Sequence, residues 1–362
     1  MNKLIINKND LESNINIIKK MSGKSIIIAV VKYNGYGLGL IEYTKFLIKN
    51  GIDFFAVAST EEAIKLRENF KKIKIINMSS TCIKEEIKEM IDNDIVLTIG
   101  SLESYELIKN NSIKFKKIPT CHIKVDTGLG RYGFLPNEIE TIKTICYSKD
   151  INVEGIFSHF SVSFYDEKYT KEQFNTFMNI IKDIENKNFK FKIKHICNSA
   201  AFLQYKGMHL DAVRIGSAFL GRVSISNIYG FKKIGYFESE ISEIKVLPKN
   251  HNIGYSNTYK TTKETKVAVV PAGSIDGINL EEGRNKNRFT DKMYYIYKDF
   301  KRDIKGYKHF VRIDNKEYEV IGGIDNSHMI LDISGSDVKI GDKVIIEINP
   351  FFINPFVKRE YR

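Results

Sequence analysis

The stretch AVVKYNGYGLG, residues 29–39, decides how the chain is read. It follows the apolar run Ser25-Ile26-Ile27-Ile28, so it reads as a buried strand that ends in a glycine-rich turn. Lys32 stands where that strand stops. A lysine held there in apolar surroundings loses preference for the ammonium form, and its amine becomes able to attack a carbonyl. Gly35, Gly37 and Gly39, with Tyr36 among them, let backbone and a phenol come close to a small ligand. The bland alternative is a strand-end lysine that snorkels to water.

Outward from this stretch, short apolar strands alternate with amphipathic helical patterns. Strands read near 25–32, 54–58, 74–78, 95–98, 120–125, 153–158, 192–196 and 212–214. Helices read at 9–20, 60–69, 83–91 and 171–186, the first with Asn9 or Asp10 near its N-cap. Eight such strand-helix units predict an α/β fold, a (β/α)8 TIM-like barrel over residues 8–232. A doubly wound sheet is the alternative, because periodicity separates the two poorly. From residue 233 to 362 the pattern turns β-rich, which predicts a second, mostly β domain, joined by a strand from residues 1–7.

Composition sets bounds. The chain has 362 residues, 43% of them hydrophobic, enough for a large core or two domains. No apolar run reaches the roughly 18 residues of a membrane span, so no membrane partner is expected. The opening MNKLIINKNDLES lacks the apolar core of a signal peptide. Cys82, Cys121, Cys146 and Cys197 lie far apart with no CxxC pair, which suits free thiols in a reducing, cytoplasmic setting. No metal site is assigned. The net charge of +12 invites a nucleic-acid reading, but the basic residues are spread among 44 acids along the whole chain. A lysine-rich surface, with no nucleic-acid partner, is the reading taken.

In a barrel, chemistry gathers at the C-terminal ends of the strands. Polar residues fall there five times. Lys32 ends the first strand, and HIKVDTGLGRYGF (122–134) ends the fifth with Lys124, Asp126 and Arg131. SHF brings His159 to the sixth, CNSA brings Asn198 and Ser199 to the seventh, and VRIGSAFLG brings Arg214 and Gly216 to the eighth. Each has an ordinary reading as a satisfied core histidine, a solvated arginine or a helix-capping serine. In the β-rich half, NIGYSNTY (252–259) places Tyr255 in a turn, where a tyrosine is usually a surface aromatic.

These motifs resemble those of the alanine racemase family, pyridoxal-phosphate enzymes of fold type III. The residue 29–39 stretch is similar to the family's cofactor-lysine motif, with Leu38 where a histidine is usual. VDTGLGRYGF is similar to D-T-G-M-G-R-x-G-F, and SHF, NSAA and R-x-G-x-A-x-x-G follow in the family's order, with Ile215 in place of a proline. GYSN resembles G-Y-G-R, with Ser256 and Asn257 replacing glycine and arginine. The resemblance covers nearly the whole chain and is weakest in 281–320 and at the C-terminus.

The resemblance implies the following. Lys32 carries pyridoxal 5'-phosphate as a Schiff base and serves as one catalytic base, with Tyr255 as the other. Tyr36, Asn198, Ser199 and Gly216, with the Ile215 backbone, bind the cofactor, chiefly through its phosphate. Arg214 bonds the pyridine nitrogen and His159 supports Arg214. Arg131 faces the substrate carboxylate, and Lys124 matches a lysine often carbamylated. A homodimer with shared active sites follows, as does the interconversion of L- and D-alanine for peptidoglycan.

Departures keep other substrates open. Asn326 and Ser327 fall where the family has Met-Asp in its substrate pocket, and Ser274 replaces an entrance tyrosine. The tyrosine of the family's C-terminal gate is replaced by Asn349, Asn354 or Phe356, depending on the gap. These features, with the insertion at 281–310, are similar to the serine/alanine racemase domain of the vancomycin-resistance type, so serine is an alternative substrate. A non-catalytic cofactor-binding relative and a related decarboxylase are further alternatives. The insertion carries nine Lys or Arg and five Asp or Glu. Its Met293, Ile296, Tyr297, Phe300 and Ile304 fall at helical spacing after Thr290, which predicts an amphipathic helix packed on the β domain rather than a strand-binding nucleic-acid surface.

Overall fold

A computed structural model describes residues 2–280 and 309–362, apart from 187 and 224, together with 292, 293, 295–297 and 300. The chain divides into two compact units. One is Lys8–Ile234, and the other joins the segment up to Asn7 with Gly235–Arg362.

After β1 (Lys3–Ile6) and α1 (Lys8–Ser22), the first unit alternates strand and helix. Its strands are β2 (Ile26–Val30), β3 (Phe54–Val57), β4 (Lys74–Ser80), β5 (Val96–Ile99), β6 (Thr120–Lys124), β7 (Asn152–Phe157), β8 (Ile193–His195) and β9 (Ala212–Ile215). They are parallel and close into an eight-stranded barrel, with Ile26 of β2 beside Ala212 of β9. The doubly wound alternative is thereby set aside. The intervening helices are α2 (Lys32–Tyr36), α3 (Leu40–Lys49), α4 (Thr60–Asn69), α5 (Lys84–Asp92), α6 (Leu102–Phe115), α7 (Ile139–Cys146), α8 (Glu167–Glu185) and α9 (Ser199–Gln204). Their starts follow local chemistry: Ser59, Ser101, Asp166 and Asn198 each accept a backbone N–H at an N-cap. Side chains such as Ile28, Val30, Phe54, Ile76 and Phe157 form one buried cluster in the barrel, so it has a packed core rather than a pore.

The second unit is a mostly antiparallel sheet. Its strands are β10 (Tyr236–Glu240), β11 (Glu243–Leu247), β12 (Asn252–Ile253), β13 (Tyr259–Lys260), β14 (Thr265–Val270), β15 (His309–Ile313), β16 (Lys316–Ile324), β17 (Met329–Asp332), β18 (Lys343–Glu347) and β19 (Lys358–Tyr361). Nine strands run in the order β11-β14-β17-β16-β15-β18-β10-β1-β19, and β12 pairs with β13 separately. The chain's first strand therefore sits between β10 and the parallel β19.

The insertion differs from expectation in its packing. Residues 292, 293, 295–297 and 300 are helical, but Met293, Ile296, Tyr297 and Phe300 are 50%, 61%, 62% and 63% exposed. Spacing placed these side chains on one stripe, but nothing in the sequence supplied a surface to cover it. Thr290 and Ile304 lie outside the described residues. Among the described residues no helix is long and apolar enough to cross a membrane.

Candidate active site

The turn after β2 is a left-handed one. Tyr33, Asn34, Gly35 and Tyr36 have φ of 55°, 54°, 64° and 54°. Three of them carry side chains, at a cost of roughly 1–2 kcal/mol each. Specific bonds hold the turn. Gly35 N–H donates to Val31 O at 2.9 Å, Asn34 N–H donates to Glu62 Oε1 at 2.9 Å, and the Asn34 carboxamide accepts Leu40 N–H at 2.9 Å. Leu38, where the family has a histidine, is fully buried. Such overdetermined strain marks a site whose geometry matters. Here it fixes Lys32 at the strand end and Tyr36 four residues on.

Lys32 is a half-buried amine. Burial, then the nearby Arg131, lowers its pKa, with Glu62 opposing. Tyr36 reaches across to the loop after β9: a Cβ added at Gly216 would meet the Tyr36 hydroxyl oxygen at 2.3 Å. Burial raises the Tyr36 pKa above its usual range, so the phenol keeps its proton as a donor. Beside it, the Ser199 hydroxyl accepts from Gly216 N–H at 3.1 Å and Ala218 N–H at 3.3 Å. A phenol, a hydroxyl and two backbone N–H groups thus converge at Gly216, and their chemistry suits a phosphate.

Arg214 is 2% exposed. Nη1 donates to His195 Nδ1 at 2.7 Å and to His195 O at 3.2 Å. Nη2 donates to Ser158 O at 2.7 Å, Ile196 O at 3.0 Å and His159 Nδ1 at 3.1 Å. The Nη donors are all taken, and among the described residues no acceptor takes Nε–H. Burial lowers the guanidinium's pKa to about 10. It remains a cation at neutral pH, with one donor left for a ligand. His159 is held well below its usual pKa by burial, then by Arg214, Arg131, Lys124 and Lys32, and is neutral. The rim is therefore strongly cationic and suits an anionic ligand.

The DTGLGR loop is built on Asp126. Its carboxylate accepts N–H bonds from Gly128, Leu129, Gly130 and Arg131 at 2.8–3.0 Å. Burial raises its pKa, but these four bonds outweigh that and bring it below its usual value. Arg131 is thereby fixed through its backbone. Lys124 is 3% exposed, its Nζ 5.2 Å from the Tyr132 ring centroid. Burial, then Arg131 and Arg214, lowers its pKa to about 7.

Asn198 stands at the start of α9. Its carboxamide oxygen caps α9 at Ala201 N–H (3.0 Å) and accepts from Ser163 Oγ (2.9 Å). A committed cap starts the helix and so places Ser199. His195, His122, Glu154 and Lys74, which extend the Arg214 bonding, were not singled out from the sequence. A polar residue inside a strand of a parallel sheet, buried on both faces, is the signal that marks them.

In the β unit, Tyr255 is 78% exposed on a turn whose Ser256 and Asn257 have φ of 59° and 54°. The left-handed conformation at Ser256 accounts for the glycine usual there. Tyr255 and Asn326 both line a cavity of about 950 Å³. The Ser274 hydroxyl donates to Asn326 Oδ1 at 3.2 Å, and Asn354 Nδ2 donates to Ile275 O at 3.0 Å. Of the three C-terminal candidates, Asn354 is thus the one bonded beside Ser274. Asn349 caps the turn at Phe351 N–H, and Phe356 is almost fully exposed. Ser327 pairs with His328 Nδ1 at 2.8 Å.

Fold and rim together define a class: an eight-stranded barrel with a lysine amine and an anion cradle at its C-terminal rim, joined in one chain to a β unit. Comparison narrows the class. The model of the alanine racemase N-terminal domain matches residues 6–223, and that of the C-terminal domain matches 235–349. The chain is 31% identical to alanine racemase 1 of Caldanaerobacter subterraneus subsp. tengcongensis, over 92% of this chain and 82% of the relative. It is 36% identical to the alanine racemase of Methanococcus maripaludis, over 74% of each. The solved alanine racemase of Clostridium difficile 630 superposes with a TM-score of 0.86 at 27% identity, covering 100% of this chain and 95% of the other. The chain belongs to the alanine racemase family.

Proposed function

We propose that the protein is a pyridoxal-phosphate-dependent racemase that interconverts L- and D-alanine. The observation that carries this is the single rim that joins the Lys32 amine, the unclaimed Nε–H of buried Arg214 and the donors around Gly216. An amine for a carbonyl, a donor for a ring nitrogen and a cradle for a phosphate are what this cofactor requires. When bound, it supplies the electron sink that stabilises the carbanion left by the α-proton.

The chain's own residues do the rest. Lys32 Nζ, its pKa lowered by burial and then by Arg131, moves a proton on one face of the substrate α-carbon. The Tyr255 hydroxyl moves it on the other, because inversion needs bases on opposite faces. Lys32 serves the D-isomer and Tyr255 the L-isomer. Arg131 orients the substrate carboxylate, with Lys124 beside it. We propose that Lys124 takes up CO2 as a carbamate: its neutral amine forms an N–C bond and releases a proton. Arg214 donates a hydrogen bond to the ring nitrogen but gives up its proton reluctantly, which confines the chemistry to proton exchange. Asn198 acts by placing Ser199, and His159 by holding Arg214. Tyr255 acts in the active site of a second copy, so the working form is a homodimer. The product feeds peptidoglycan synthesis in the cytoplasm.

A second reading is favoured by one observation. Ser274 and Asn326 are hydrogen-bonded to each other, and Asn354 donates to the carbonyl of the neighbouring Ile275. This polar pair stands where the resemblance has a tyrosine and a methionine, and it matches a substrate hydroxyl, as in serine. The test runs L-alanine and L-serine side by side with the purified, cofactor-loaded protein, alongside Lys32→Ala and Tyr255→Phe. Alanine turnover well above serine, lost in both variants, is expected. Comparable or faster serine turnover selects the second reading, and turnover of neither contradicts both.

A further inference from the structure

A polar column runs through the barrel beneath Arg214. His195 of β8 bonds through Nε2 to His122 Nδ1 of β6 at 2.9 Å. His122 Nε2 bonds to Glu154 Oε2 of β7 at 3.2 Å, and Glu154 is paired with Lys74 at the start of β4. Both imidazoles are fully buried, His195 stacked on Phe157 at 4.8 Å and His122 edge-on to Phe54 at 6.3 Å. This is the part of a barrel normally filled by branched apolar side chains.

The direction of every proton in the column follows from its ends. The Arg214 guanidinium only donates, so His195 Nδ1 must accept. His195 then carries its proton on Nε2 and donates it to His122 Nδ1. His122 likewise carries its proton on Nε2 and donates it to Glu154, which, ionised, only accepts. A donor-only cation at the rim and an acceptor-only anion at the base impose the same tautomer on both rings. Support comes from charge. Hydrogen bonding from His122 outweighs burial and, with the bond and charge of Lys74, holds the Glu154 pKa down to about 2. Burial, then Arg214, His122 and Lys74, keeps His195 well below its usual value. Replacing buried charged networks by apolar side chains is often neutral or stabilising, so stability is a weak reason for such a column.

We infer that His195, His122 and Glu154, closed by Lys74, form a relay that positions Arg214, orienting its guanidinium so that Nε–H faces the cofactor ring nitrogen. This rests on the cofactor reading above. His122 and Glu154 touch neither substrate nor cofactor, so they are positioning residues.

The test uses full-length protein loaded with pyridoxal phosphate carrying nitrogen-15 in its ring, as wild type and Glu154→Gln. Glutamine keeps the shape and an acceptor but removes the charge. The expected result is a moved ring-nitrogen signal and a kcat for alanine lower by about tenfold per bound cofactor, with KM within about twofold. Histidine ring spectra of the wild type should show both rings neutral with protons on Nε2. A merely structural role lowers the melting temperature but leaves the ring-nitrogen signal and kcat per bound cofactor unchanged, and that result overturns the relay. So does a proton on Nδ1 of either ring. If the wild type binds cofactor without racemising alanine, the function reading fails while the ring-nitrogen comparison still decides the relay. If it binds no cofactor, the histidine tautomers and the Arg214 side-chain signals in the two proteins decide it.

Discussion

Lys124 shows how one residue's surroundings set its chemistry. Buried beside two arginines, its amine is held near a pKa of about 7 instead of the usual 10.5. The unfolded chain therefore binds an extra proton between about pH 7 and 10.5, so stability rises with pH across that window. Lys124→Met has no such group, and its melting temperature should rise less between pH 7 and 10 than that of the wild type. The same neutral amine is what carbamate formation needs. Native mass spectrometry should show one CO2 adduct lost in Lys124→Met, and activity should fall in CO2-free buffer and return with bicarbonate. An unmodified, fully active wild type contradicts that role.

At the scale of the element, the loop after β6 is built around the Asp126 carboxylate. Asp126→Ala leaves four backbone N–H groups without their acceptor, at an expected cost of about 2 kcal/mol or more. Thermal unfolding measures the loss. KM for alanine should rise more than kcat falls, because Arg131 is oriented by this loop. A KM equal to that of the wild type would detach Arg131 from substrate binding. The strands were legible in sequence because each parallel strand is buried on both faces and reads as an apolar run, such as Phe54–Val57. The rim residues were legible because motifs keep their neighbours in register. The left-handed run at Tyr33–Tyr36 was legible only in part: Asn34 and Gly35 favour a positive φ, but nothing in Tyr33 or Tyr36 announces one. The relay was not legible: His122, Glu154 and His195 lie on three different strands and meet only when the barrel closes. Asn198 was recognised by its neighbours, and its cap on α9 is a contact the motif did not reveal. The helical pattern after Thr290 was read from spacing, and spacing does not say what covers a face.

At the scale of the molecule, the two proposed bases belong to different units of the chain. Tyr255 sits in the β unit and is 78% exposed, whereas Lys32 is half-buried in the barrel. If Tyr255 acts on a second copy, specific activity must fall as the dimer is diluted below its dissociation constant, and sedimentation should show the fall tracking dimer loss. Fully active monomers contradict the shared site. The strong positive charge, +12 overall, then helps to collect an anionic cofactor and a carboxylate substrate.

The most direct test of the central claim is exchange of the alanine α-hydrogen in heavy water, started separately from each isomer. With wild type, L-alanine should yield deuterated D-alanine, and D-alanine should yield deuterated L-alanine. With Tyr255→Phe, exchange should persist from D-alanine and fail from L-alanine. Loss of exchange from both isomers, or from neither, would contradict a lysine and a tyrosine on opposite faces.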